Sequence, residues 1–279
     1  MIGLFQKIHD INLSEIFYDF QIENHIQIRT DKISLRITFQ DVPEDKFFFH
    51  YTSVATDDLS YTLTHSNSGV STSGETYPVQ SFKYYKFRAD SPISNKSILG
   101  SLNAPFGDNL AQIILTDSDF KKLVTDIFRS KGFKLQVKPI EREILVLKEH
   151  GDEIYSYAYP NISETLRRII FFMACLETNK DSVLLFDEPE ANTFPFYTKY
   201  LAERIALDET NQYFFTTHNP YLLRSVVEKA DKDQIQVCIT YMENYETKIK
   251  VLNREELSEI LDTDIFFNLD LFLKDAAHS

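Results

Sequence analysis

Apolar and polar residues change their spacing twice along the chain. Between residues 26 and 90 they alternate, in pieces such as ISLRITF (33–39), KFFFHYT (46–52), LSYTLT (59–64) and FKYYKF (82–87). A period of two belongs to strands with one buried face, and it predicts an antiparallel β region. The stretch HSNSGVSTSGETYP (65–78), rich in Ser, Thr and Gly, reads as a mobile hairpin loop or excursion. From Asp117 the spacing becomes helical: DSDFKKLVTDIFRS closes at Lys131 and Gly132, a last-turn cation followed by a C-terminal glycine. Short strands follow at FKLQVK (133–138) and EILVLK (143–148).

From Ser163 the pattern is at its most regular. It predicts a helix (163–178), a strand (182–186), a helix (195–208), a strand (212–216) and a helix (220–230). Continuous apolar strands between amphipathic helices define an α/β arrangement, a parallel sheet covered on both faces. In such sheets ligands bind beyond the carboxyl ends of the strands. Asp187 and Glu188 stand at one such end, and Thr216, Thr217 and His218 at the next. A hairpin, QIQVCITYM (234–242) with TKIKVL (247–252), and short helices within 254–273 complete the reading. The expected division is an antiparallel β-rich N-terminal portion with a helical insertion (1–160) and a C-terminal lobe (161–279).

A chain of 279 residues, 43% of them hydrophobic, can bury a substantial core, and its length suits one large domain or a domain with an insertion. The formal net charge of −13 opposes a broad phosphate-binding surface, so nucleic acid is not the indicated partner, although a local basic groove is compatible with an acidic total. Cys175 and Cys238 each lie in an apolar run and read as small core residues, which fits a reducing cytoplasm. No apolar run has membrane-spanning length, and MIGLFQKIHD lacks the charged start, apolar core and cleavage site of a secretory leader. The sequons at Asn12, Asn95 and Asn161 therefore carry little weight.

The candidate chemistry lies in SVLLFDEPEANTFP (182–195). A strand ending in Asp-Glu offers one carboxylate to magnesium and a second aimed at a reacting water. Hydrolysis of ATP asks mainly for positioning of the γ-phosphate, its metal and that water. Asp187 suits the metal role and Glu188 the base. Pro189 turns the chain out of the strand direction. His218, on the adjacent strand end, can hydrogen-bond a γ-phosphate. The plainer reading of Asp187-Glu188 is a strand meeting a solvated helix start, where carboxylates favour the dipole; a histidine before Asn-Pro is ordinarily a turn or cap residue. The conjunction of the two strand ends favours a site. Arg167 and Arg168 fit a phosphate contact or a solvated face equally, and Phe171, Phe172, Met173 and Leu176 read as helix core. A metal-dependent nuclease using Asp187, Glu188 and Glu190 is the weakest reading, because no lysine or further acidic cluster lies near in sequence.

LLFDEPEANTFP (184–195) and FFTTHNP (214–220) resemble the Walker B strand, D-loop and switch-histidine loop of ABC-class P-loop ATPases, specifically the SMC, RecF and OLD-like bacterial AAA-type ATP-binding proteins. The resemblance implies a P-loop NTPase-like parallel sheet flanked by helices, with an inserted antiparallel β and helical region in the N-terminal half, and the cofactors ATP and Mg2+. It implies that Asp187 is the Walker B magnesium carboxylate, Glu188 the catalytic glutamate, Ala191 to Phe194 the D-loop and His218 the switch histidine. NISETLRR (161–168) takes the place of the signature motif, with Ser163 contacting the γ-phosphate of a nucleotide held by the opposite subunit. Thr165 stands where glycine is usual, and its Cβ crowds the approach of that phosphate. A P-loop has the form G-x-x-x-x-G-K-[ST], and none of the seven glycines here precedes a lysine. The start MIGLFQKI reads as the later turns of a helix, so the chain is expected to be a truncated product or one half of a split ATPase. The expected partners are a second copy or a complementary ATPase half, and an effector protein. The alternative is a degenerate, non-hydrolysing interaction module of the same fold.

Overall fold

A computed structural model of the chain describes residues 25–29, 33–40, 46–53, 60–66, 69–73, 81–90, 100–141 and 143–273. They fall into two compact units, Met1–Val79 and Gln80–Ser279. The expected helix at MIGLFQKI lies outside the described residues.

The first unit contains an antiparallel sheet in simple sequence order: β1 (His25–Arg29), β2 (Ile33–Gln40), β3 (Lys46–Ser53), β4 (Ser60–Ser66) and β5 (Gly69–Ser73). The alternating pieces at 33–39, 46–52 and 59–64 form three of these strands, with Leu35 opposite Tyr51 and Phe49 opposite Leu63. Part of the Ser/Thr-rich stretch expected as a loop is also a strand, since Ser71 pairs with Thr64 and Thr72 with Leu63. Small β-branched and hydroxyl side chains fit a pleated ribbon as well as a loop, so composition alone misread it.

At the centre of the second unit is a parallel sheet of three strands in the order β11 (Gln212–Thr216), β10 (Ser182–Asp187), β6 (Ser81–Tyr85). The expectation for FKYYKF (82–87) as an antiparallel strand is therefore corrected: Phe82, Lys83, Tyr84 and Tyr85 run parallel to Val183 through Phe186. Alternation reports faces, not strand direction, and here the polar position is half-buried. Lys83 Nζ donates to Ser101 Oγ at 3.0 Å and to Asn179 Oδ1 at 2.5 Å, while Tyr85 is wholly buried.

The helices follow from their sequences. α1 (Leu110–Thr116) leads into α2 (Ser118–Arg129), whose first amides are capped by Asp117, and Gly132 closes the following turn at φ +77°. The short antiparallel sheet β7 (Lys134–Lys138), β8 (Glu143–His150) and β9 (Glu153–Ala158) comes next. α3 (Glu164–Thr178) is buried continuously from Ile169 to Leu176. A helix apolar on all sides must be enclosed, and α3 packs between α2 and the sheet. Its Phe172 meets Phe171 at 5.1 Å and Phe186 of β10 at 5.2 Å, both edge to face. α4 (Pro195–Ala206) and α5 (Pro220–Lys229) each begin with proline at the first turn, where the missing N–H costs nothing. The hairpin β12 (Cys238–Glu243) and β13 (Glu246–Val251), with α6 (Arg254–Asp262) and α7 (Leu269–Leu273), closes around a smaller core that includes Leu223, Val227 and Ile239.

Cys175 lies in the main core as read, but Cys238 is exposed. The two-residue period of β12 turns Ile239 inward and its neighbour out. Among the described residues no helix is long and apolar enough to cross a membrane.

Candidate functional site

Two neighbouring strands place the polar residues. Asp187 is the last residue of β10 and pairs in parallel register with Thr216, the last residue of β11. The Thr216 hydroxyl donates to Asp187 Oδ1 at 2.6 Å and accepts the Glu188 amide at 3.2 Å. One side chain thus fixes one oxygen of Asp187 and the main chain of Glu188, while the Asp187 residue stays exposed. Glu188 adopts φ +43°, a left-handed conformation uncommon outside glycine that a surrounding structure must impose. That turn brings Glu188 Oε1 to 3.4 Å from His218 Nε2, with the His218 side chain 84% and the Glu188 side chain 44% exposed.

Behind this pair lies Glu190. Thr217 donates its hydroxyl to Glu190 Oε1, and Thr193 donates to the Glu190 carbonyl at 2.6 Å. Burial pushes the Glu190 carboxyl up from its ordinary range; the Thr217 hydroxyl and the main-chain amides of Glu190 and His218 pull the other way.

The start of α3 adjoins the turn that leaves β10. Ser163 is the exposed N-cap of α3 and makes no side-chain capping bond. Thr165 donates to the Asn192 carbonyl at 3.0 Å, and Asn192 Nδ2 donates to Glu164 Oε1 at 3.3 Å. Asn192 and Arg168 hold the Glu164 carboxyl below its usual range. The arginines of this helix make contacts within the fold. Arg167 donates to the carbonyls of Ile162 at 3.1 Å and Ala89 at 2.7 Å, and Arg168 lies 4.8 Å above the Phe87 ring.

Asp187, Glu188 and His218 are therefore brought together; Ser163 is the N-cap of α3, whose first turn adjoins the turn through Asn192. Local sequence marks Thr165 only as an obstacle and Glu190 only for a nuclease. Each owes its position to a partner 27 residues away, Asn192 and Thr217 respectively.

An exposed carboxylate with one oxygen oriented by a threonine suits Mg2+, which keeps waters and takes one or two carboxylates along with substrate phosphates. Such an ion does not need a cage of protein ligands, and among the described residues there is no cluster of three or more His, Cys, Asp or Glu placed to hold a metal. The donor set thus fits the metal half of a magnesium nucleotide.

A parallel sheet flanked by helices, whose adjacent strands end in paired carboxylates and a histidine, defines the class: an α/β protein with a candidate site at its strand ends. The family described as "AAA domain, putative AbiEii toxin, Type IV TA system" matches residues 18–224, and the chain belongs to that family. Among solved structures, the chain is similar to an SMC head bound to the C-winged helix domain of ScpA, at 14% identity over 81% of this chain and 76% of that one, with a TM-score of 0.43. It is also similar to the SMC head domain from Thermotoga maritima, at 13% identity over 76% of this chain and 75% of that one, with a TM-score of 0.33. An SMC head with an extended coiled coil, bound to the C-terminal domain of ScpA derived from Pyrococcus furiosus, matches at 17% identity over 56% and 40%, with a TM-score of 0.38. No curated protein matches the chain.

Proposed function

We propose that this protein is the ATP-binding and ATP-hydrolysing engine of a larger machine, or its C-terminal part. It acts as a dimer that sandwiches ATP and passes its closure to a partner protein. Residues 161–279, joined by β6, form the ATPase lobe. Asp187 holds Mg2+, Glu188 orients the attacking water and takes its proton, His218 hydrogen-bonds the γ-phosphate, and Ser163 meets the nucleotide held by the opposite subunit. Bound Mg-ATP supplies the phosphoryl group and the charge that the metal offsets. What this chain supplies is the placement of two carboxylates and an imidazole.

The observation that carries the reading is the contact between the two strand ends: Thr216 oriented on Asp187 at 2.6 Å and His218 on Glu188 at 3.4 Å. A purely structural turn has no need of a half-exposed Glu held at φ +43° against an exposed His. The second reading, a non-hydrolysing interaction module of the same fold, is favoured by the 279 residues containing no G-x-x-x-x-G-K-[ST] sequence.

Calorimetry with Mg-ATP separates the two, using the chain with Glu188→Gln as the non-hydrolysing control. Saturable micromolar binding, weakened at least tenfold by Asp187→Ala, is expected of the engine. Heats indistinguishable from dilution at millimolar nucleotide would mean that the carboxylates act only with a phosphate loop supplied by another polypeptide, and would favour the module if no such polypeptide restores binding.

A further inference from the structure

Glu190 has no part in the reaction outlined above, yet it is the costliest side chain at the site. It is 5% exposed, one carboxylate oxygen is engaged by Thr217, and Oε2 is buried with no hydrogen-bond partner among the described residues. A carboxyl placed this way carries a desolvation cost that a serine or an alanine would avoid. Thr217, its partner, also accepts the Asn219 amide at 3.0 Å, and Asn219 in turn accepts the Tyr221 and Leu222 amides at 2.9 and 3.2 Å as the cap of α5. Both chain neighbours of His218 are therefore anchored in one continuous set of hydrogen bonds that begins at Glu190. The imidazole itself is exposed, and among the described residues its polar contact is with Glu188. The hydrogen bonds that flank His218 thus run through its chain neighbours Thr217 and Asn219 to Glu190.

We propose that Glu190 is the positioning residue for His218, a buried strut that ties the turn leaving β10 to the loop leaving β11 and keeps the imidazole within reach of Glu188. The functional meaning of this strut rests on the proposed roles of Glu188 and His218. Its existence is testable with no nucleotide present, so failure of ATP binding and failure of the strut are separate results.

The test is NMR of the histidine ring protons in the whole chain, with the His218 signals identified by their loss in His218→Gln. Glu188→Gln is expected to shift the His218 resonances in the otherwise unchanged protein. That response should vanish in a Glu190→Ala background and persist in Glu190→Gln, whose amide oxygen still accepts from Thr217. Thr217→Val removes the same bond from the other side and should abolish the response as well; it decides the question if Glu190→Ala fails to fold. A response to Glu188→Gln of equal size in the Thr217→Val and Glu190→Ala backgrounds would overturn the proposal, and so would its loss in Glu190→Gln.

Discussion

Phe186 and Phe214 are both phenylalanines in the parallel sheet, and their substitution by alanine should give very different results. Register sets Phe186 opposite Phe215, and Leu185 opposite Phe214, so Phe186 and Phe214 point to opposite faces. Phe186 is buried against α3. Its ring meets Phe172 at 5.2 Å, Tyr213 at 6.0 Å and Tyr85 at 6.4 Å. Removing a buried phenylalanine costs about 3–5 kcal/mol, and ring pairs add about 0.5–1.5 kcal/mol each beyond their area. Phe186→Ala therefore belongs near the top of that range, at about 4–5 kcal/mol. Phe214 is 53% exposed. Full burial of such a side chain is worth about 1.5–3 kcal/mol, so a ring half out of water contributes only about 1 kcal/mol. Urea titrations followed by far-UV circular dichroism measure both, comparing midpoints at unchanged slope. A gap of about 3–4 kcal/mol is expected. A gap below about 1 kcal/mol, or a reversed order, would refute the register, since a slip of one residue between β10 and β11 exchanges the two faces.

Three further outcomes follow from particular contacts. Asn179→Ala should cost about 2–3 kcal/mol in the same titration, at about 1 kcal/mol for each hydrogen bond, because its side chain serves Cys175 O at 2.7 Å, Tyr85 Oη at 3.0 Å and Lys83 Nζ at 2.5 Å. Glu190→Gln should gain stability relative to the unchanged protein as pH rises above the ordinary carboxyl value of 4.5. Burial raises the folded pKa of Glu190, so the unfolded chain releases its proton first, and the stability present at low pH is lost as pH climbs through the folded value; melting temperatures across a pH series check the sign. Gly107→Ala should cost more than about 1 kcal/mol in thermal melts. The residue sits at φ +66°, and an added Cβ would lie 2.8 Å from Phe171 Cε2.

Whatever depends on local spacing was legible in the sequence. The helix that became α3, the strands β10 and β11 and the starts of α4 and α5 all follow from apolar runs, caps and prolines, as does the presence of Asp187, Glu188 and His218 at adjacent strand ends. Strand direction was not legible, because FKYYKF alternates identically in a parallel or an antiparallel sheet; only the position of β10 beside it decides the matter. The half-buried lysine of that strand was hidden for the same reason, its neutral partners Ser101 and Asn179 being far along the chain. The inner layer of the site was likewise out of reach. Thr216 meets Asp187 across an offset of 29 positions, which is the register of β10 on β11. Beyond the strand ends both chains turn, and the offsets change: His218 meets Glu188 and Thr217 meets Glu190. The pairing is crossed, so the outer residue of one loop contacts the inner residue of the other. Glu188 at φ +43° makes this crossing feasible, because a regular continuation of β10 would alternate Glu188 and Asp187 across the sheet instead of turning Glu188 toward the next strand. A sequence pattern reports which residues occupy the strand ends. The left-handed turn at Glu188 determines which of them meet, and with that turn the Glu188–His218 pair rests on the buried bond between Glu190 and Thr217.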